Sequence, residues 1–217
     1  MKFTKMHGIG NDYIYVSGFD EQIENPTEFA IRWSDRHKGI GSDGLVLILP
    51  STHCDFRMQM FNADGSEAEM CGNAARCIGK YVFDKKMTDK TDLTLETMAG
   101  IKKLKLFLGD DKLVQSVTVD MGEPILESSR IPITIDKSNV VNELINFNAT
   151  TKYHITCVSM GNPHAVIFTK NIEKLNLPKI GSVIENAPIF PHRTNVEFVE
   201  ILSGNKMKMR VWERGSG

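Results

Sequence analysis

Phe61-Asn62-Ala63-Asp64-Gly65-Ser66-Glu67-Ala68-Glu69-Met70-Cys71-Gly72-Asn73-Ala74-Ala75-Arg76-Cys77 leads from an alternating strand, through a polar turn, into a helix. Just ahead of it Phe56, Met58 and Met60 alternate with Arg57 and Gln59, the period-two pattern of a half-buried strand. Behind it Ala74, Cys77, Ile78, Tyr81 and Val82 recur at three-four spacing, which predicts an amphipathic helix over residues 73–84, with Gly72 and Asn73 at its entry. Cys71 would then stand where unpaired backbone N–H groups and the positive end of the helix dipole favour a thiolate. The same N–H groups could hold a substrate carboxylate. A helix end contributes roughly 0.3–1 kcal/mol, less than the about 1.4 kcal/mol of one pKa unit. Full activation of the thiol therefore requires a neighbouring base or cation. A structural cysteine packed on the helix is the competing reading, and the polar, glycine-bearing loop in front of Cys71 argues against it.

Outward from this stretch, strand patterns dominate. Leu104, Leu106 and Leu108 alternate with Lys103, Lys105 and Phe107, and Met207, Met209 and Val211 alternate with Lys206, Lys208 and Arg210. Both predict half-buried antiparallel strands. Further strands are expected at residues 45–49, 114–120, 131–135, 153–158, 165–169 and 196–202. Asn25-Pro26-Thr27-Glu28 supplies an N-cap, a proline at the first helical position and an acid at the third, so a helix runs from there to a stop near Lys38-Gly39. A weaker helix is expected over residues 140–147. Strands around a few helices, without βαβ alternation, indicate an α+β protein.

A boundary falls near Met121-Gly122-Glu123-Pro124, giving domains 1–121 and 122–217. Short likenesses suggest that the halves are related and face one another. Met6-His7-Gly8-Ile9-Gly10-Asn11-Asp12 is matched by Ser159-Met160-Gly161-Asn162-Pro163-His164, and Phe61-Asn62 before Gly65-Ser66 by Trp212-Glu213 before Gly215-Ser216.

The 217 residues, 41% hydrophobic and 24% charged, suit an ordinary globular protein. A net charge of −1 gives no electrostatic case for nucleic acid or an anionic membrane surface. Residues 1–12 read as no secretory leader, since charge and glycine interrupt them, and no apolar run approaches a membrane span. Cys54, Cys71, Cys77 and Cys157 fit neither a CxxC pair nor a zinc ribbon, so no metal is expected and the thiols read as reduced, in a cytoplasmic protein. Cys54, Cys77 and Cys157 read as packing residues.

Three further polar clusters interrupt the strands: Gly10-Asn11-Asp12, Gly161-Asn162-Pro163-His164, and Thr194-Asn195 with Glu213-Arg214. Asparagines donate and accept at once, which suits a zwitterionic amino acid. Arg214 could clamp a carboxylate and Glu213 could hold an ammonium. Turn chemistry alone would also explain each single asparagine. His164 could tune a nearby thiol.

With these residues assembled, the chain resembles the diaminopimelate epimerase family. The resemblance is carried by Lys5 through Asp12, Gly39-Ile40-Gly41-Ser42-Asp43-Gly44, Phe61 through Cys77, Met160-Gly161-Asn162-Pro163-His164-Ala165-Val166, and Arg210-Val211-Trp212-Glu213-Arg214-Gly215. It implies two similar domains of mostly antiparallel strands, each wrapped around a helix, with the active-site cleft between them. It also implies an isomerase of lysine and peptidoglycan-precursor biosynthesis that interconverts LL- and meso-diaminopimelate without a cofactor. Two cysteines on opposite substrate faces would exchange the Cα proton, with the carbanion stabilised by preorganised donors.

By resemblance Cys71 is one acid/base, and Gly72 and Asn73 bind the reacting carboxylate. Asn11, Asn62, Asn162, Asn195, Glu213 and Arg214 orient the substrate, while His164 and Glu213 help set the thiol pKa values. The family pattern places a second catalytic cysteine a few residues past Gly217, so these 217 residues alone are expected to be inactive in inversion. The full-length enzyme is expected to be a homodimer. Competing expectations are a proline racemase-like epimerase of another amino acid, a hydrolase with Cys71 as nucleophile and His164 as base, and a non-catalytic amino-acid-binding protein.

Overall fold

The computed structural model describes residues 1–215, which fall into two compact units divided between Gly122 and Glu123. It is an α+β structure built on two sheets. The Gly215–Ser216 turn expected after Trp212 lies partly outside the described residues.

The first unit holds β1 (Thr4–Gly8), β2 (Asn11–Ser17), β3 (Gly44–Leu49), β4 (Phe56–Asn62), β5 (Glu67–Ala68), β6 (Asp92–Glu96), β7 (Lys102–Leu108) and β8 (Val114–Asp120). Their order is β1-β2-β3-β4-β6-β7-β8, with β5 hairpinned onto β4. Most pairs are antiparallel, but β2–β3 and β4–β6 are parallel, so the sheet is mixed. The parallel pairs follow from connections that leave one end of the sheet and re-enter at the other. The β2–β3 connection carries α1 (Pro26–Ser34) and the β4–β6 connection carries α2 (Gly72–Asp84).

Strand β2 shows why the two helices lie on opposite faces. Tyr13 and Tyr15 join a core with Met58, Met60, Leu104, Leu106 and the α2 residues Ala74, Ala75, Cys77, Ile78 and Val82. Ile14 and Val16 point the other way, into a second core with Leu45, Leu47, Phe61 and the α1 residue Ala30, with Phe29 and Trp33 packed on it. A strand buried on both faces loses the alternating pattern, and β2 is apolar without a break from Tyr13 to Val16 and β3 from Leu45 to Leu49. Helix α1 begins as its sequence implies: Asn25 Oδ1 accepts from Glu28 N at 3.2 Å, with Pro26 next. It ends at Ser34 rather than near Lys38, because Asp35 Oδ1 takes the N–H groups of His37 and Lys38 and turns the chain.

The second unit holds β9 (Glu143–Asn146), β10 (Lys152–Ser159), β11 (Pro163–Phe168), β12 (Asn195–Ser203) and β13 (Lys206–Trp212), in the order β13-β12-β11-β10-β9. Only β11–β12 is parallel, and their connection carries α3 (Leu177–Glu185). The core lies on the α3 face: Ile155, Cys157, Ala165, Ile167, Val196 and Phe198 pack with Ile184, and Trp212 packs against them.

Three expectations for this unit are corrected, and one further element is added. Residues 140–147 do not form a helix, since residues 143–146 pair with residues 152–155 as a strand. Residues 131–135 are not a strand, because Pro132 has no N–H and Thr134 N donates to Ile189 O in a loop. Strand β13 is not half-buried: Met207 and Met209 are 66% and 59% exposed. Helix α3 was missed, although Asn176 caps it through Lys179 N and Pro178 stands in its first turn, the same signal that marks α1.

Candidate active site

In the first unit the polar groups meet where the start of β2, the end of β4 and the start of α2 come together. The β1–β2 hairpin turns on Ile9 and Gly10, both at positive φ, which is the twist a two-residue hairpin demands. Its register pairs Gly8 with Asn11 and so makes Asn11 the first residue of β2. Asn11 is 9% exposed, and its amide faces two ways: Nδ2 donates to Asp43 Oδ2 at 2.9 Å, and Oδ1 faces Cys71 Sγ at 3.4 Å and Asn73 Nδ2 at 3.3 Å.

Cys71 is the N-cap of α2. Its backbone is extended, and its sulfur accepts from Ala74 N at 3.5 Å, the geometry of a capping side chain. One sulfur thus receives a backbone N–H, which favours the thiolate, while a carbonyl oxygen stands ready to accept the thiol proton. Gly72 and Asn73 open the helix, where N–H groups have no carbonyl one turn back to bond. The Asn73 side chain is itself held, since Arg76 Nη2 donates to its Oδ1. Asn62, 7% exposed, ends β4 and closes the turn to β5, its Nδ2 donating to Ser66 Oγ at 3.0 Å.

The remaining thiols differ from Cys71. Burial pushes the Cys157 thiol up to about 12. Burial also raises Cys77, against the opposing effects of Tyr15 and Arg76. Both lie in hydrophobic cores, and Cys54 sits in the loop before β4.

In the second unit the polar groups gather at the starts of β11 and β12 and the end of β13. His164 Nδ1 lies 2.6 Å from Glu197 Oε1, and His164 Nε2 lies 2.9 Å from Asn162 Oδ1. Asn195 stands opposite His164 in the parallel register. It uses its amide on main chain, with Nδ2 donating to Pro163 O at 3.0 Å and Oδ1 accepting from Arg214 N at 2.9 Å. Glu213 and Arg214 follow β13 directly, and buried Glu185 secures this exit by accepting from Trp212 Nε1 at 2.7 Å and Gly215 N at 3.0 Å.

Each unit therefore collects its own share of the residues singled out in the sequence: Asn11, Asn62, Cys71, Gly72 and Asn73 in the first, Asn162, His164, Asn195, Glu213 and Arg214 in the second. Four partners escaped the sequence reading. Asp43 lay inside a recognised motif without a role, and Arg76 lies on the polar side of α2. Glu185 and Glu197 are 5% and 7% exposed, and a buried acid in an apolar run is visible in sequence only as a break in the pattern. Among the described residues no cluster of three or more His, Cys, Asp or Glu is arranged to hold a metal ion, and no helix is long and apolar enough to cross a membrane.

Comparison with known proteins gives a consistent picture. The profile of the family described as diaminopimelate epimerase matches residues 3–127 and 156–217. A diaminopimelate epimerase of Methanococcus maripaludis is 58% identical over 217 residues, covering 100% of this chain and 78% of the relative. One from Acetivibrio thermocellus is also 58% identical, with 77% of its length covered. Among solved structures, a probable proline racemase from Agrobacterium radiobacter superposes with a TM-score of 0.70 at 14% identity, over 96% of this chain and 69% of the other. At that identity the likeness concerns the fold alone.

Proposed function

The chain belongs to the diaminopimelate epimerase family, isomerases of lysine biosynthesis, and on that premise we propose that Cys71 is the acid/base that handles the Cα proton on one face of diaminopimelate. The observation that carries this reading is the placement of its sulfur, at the N-cap of α2 with Ala74 N–H on one side and Asn11 Oδ1 on the other. The first-turn N–H groups of Gly72 and Asn73 receive the carboxylate next to the reacting carbon, where negative charge grows as the proton leaves. Asn11 and Asn62 orient the same head group.

Asn162, Glu213 and Arg214 bind the rest of the substrate, the guanidinium taking the distal carboxylate as a bidentate pair. Asn195 keeps Arg214 and the Pro163 loop in register, and His164, held by Glu197, supplies a nearby imidazole. Inversion needs a second acid/base on the opposite face, and neither Cys77 nor Cys157 suits it, because burial raises both thiols. The proposed reaction interconverts the LL and meso forms in the cytoplasm, in a homodimer, with side chains and backbone donors doing the chemistry.

Mass-spectrometric mapping of alkylation, with and without diaminopimelate, tests the assignment. Cys71 is expected to label faster than Cys54, Cys77 and Cys157 and to be protected by the substrate. Labelling of Cys71 no faster than Cys77, or unaffected by diaminopimelate, overturns it.

A further inference from the structure

We propose that Asp43 is a positioning residue that fixes the Asn11 amide with its oxygen on the Cys71 sulfur, and so holds the resting site in its thiol form until substrate arrives; this rests on Cys71 being the acid/base. An asparagine amide can sit either way round, and the two orientations have opposite effects on a thiol. The oxygen accepts S–H and favours the protonated sulfur, whereas the NH₂ donates and favours the thiolate.

In this structure the choice is made from both ends. Asp43 Oδ2 takes Asn11 Nδ2 at 2.9 Å and Asp12 N at 2.9 Å, so the NH₂ is committed away from the sulfur. At the other end Arg76 holds Asn73 Oδ1, which turns Asn73 Nδ2 toward Asn11 Oδ1. Asp43 is itself held: Arg36 Nη2 bonds its Oδ1 at 2.7 Å, its N–H donates to Asp12 O at 2.7 Å, and its carbonyl accepts from Ala63 N at 2.9 Å. It thereby ties the start of β2, which carries Asn11, to the end of β4, which carries Asn62. Gly44 permits this, because a Cβ there would stand 2.0 Å from Phe61 O. The charged and titratable groups around the chain are Lys5, Asp12 and Arg36 on the Asp43 side, with Arg76 and Tyr15 on the Cys71 side.

The pH profile of Cys71 alkylation, mapped by mass spectrometry in the intact chain, reads this arrangement. Asp43→Ala frees the amide to turn its oxygen off the sulfur, so Cys71 is expected to alkylate on the order of fivefold faster at neutral pH, the scale of one ordinary neutral hydrogen bond. Asn11→Ala removes the oxygen itself and is expected to do the same, and adding Asp43→Ala to it brings no further gain. Asp43→Asn keeps an oxygen for Asn11 Nδ2 and retains the parent profile. An unchanged profile in Asn11→Ala overturns the proposal, even if Asp43→Ala does not fold. So does a gain from Asp43→Ala that persists in the Asn11→Ala background, or an Asp43→Asn profile like that of Asp43→Ala, since both would mean that the lost charge acts through space. A parent Cys71 that labels no faster than Cys77 instead rejects the acid/base assignment itself.

Discussion

One proton at Cys71 is contested by a backbone donor and an amide acceptor, and most of the site's chemistry follows from that contest. The sequence showed the thiol, the helix entry and the asparagines, because glycine, asparagine and cysteine in a polar break between apolar runs are local signals. It did not show what holds them, because Asp43 and Asn11 are brought together by the parallel β2–β3 pair across a whole helix connection. Glu197 shows the same gap. Its Oε1 holds His164, while its buried Oε2 has no hydrogen-bond partner among the described residues. Removing the carboxylate should therefore act chiefly through the imidazole. Glu197→Leu is expected to release the His164 ring from its 2.6 Å contact, seen by NMR at fixed pH as shifted or broadened imidazole resonances, without unfolding the unit. Arg214→Lys is expected to weaken binding of diaminopimelate about tenfold, because a point charge cannot reproduce a bidentate fork. Calorimetric titration reads that loss.

At the scale of elements, α1 was legible from its capped, proline-bearing entry, and α2 from an entry signal followed by three-four periodicity. The same signal at Asn176-Leu177-Pro178 passed unread, since Gly181 interrupts the run behind it. Gly181 has its own reason: a Cβ there would come within 2.4 Å of the Trp212 ring, so the helix lies directly on β13. Residues 140–147 misled in the opposite direction, because a short apolar run has no period of its own and pairing with β10 decided its form. Asn176→Ala should cost about 1 kcal/mol, the usual worth of an N-cap, measured as a lower denaturant midpoint for the second unit. Gly44→Ala should be far more damaging, because Phe61 O belongs to the backbone and cannot step aside as a side chain can. A loss of about 3 kcal/mol or more is expected from overpacking against main chain, together with faster labelling of Cys71, because the β2–β4 tie through Asp43 that keeps the Asn11 oxygen on the sulfur is disturbed.

Across the molecule, the α+β class was readable from strand patterns alone, whereas the parallel pairs were not, because a crossover leaves no mark on the strand it delivers. The exposed Met207 and Met209 show the related limit that alternation reports two faces and not which of them is covered. Charge adds a global dependence on pH. Burial alone would raise the Asp12 carboxyl, but Arg36 and Lys5 outweigh it, and Lys90 and Thr94 do the same for Asp55, so both lie below the ordinary carboxylate range. Groups depressed in the folded state stabilise it above the unfolded pKa of about 3.9, and that contribution is lost as pH falls through the folded values. Asp55→Asn should therefore flatten the acid side of the stability profile while leaving its slope near pH 7 unchanged, as followed by urea melts. The central claim is settled by proton traffic. With diaminopimelate in deuterated water, NMR at Cα should show deuterium entering with the parent protein and not with Cys71→Ala. Exchange by Cys71→Ala at the parent rate would contradict the assignment of Cys71 as the acid/base.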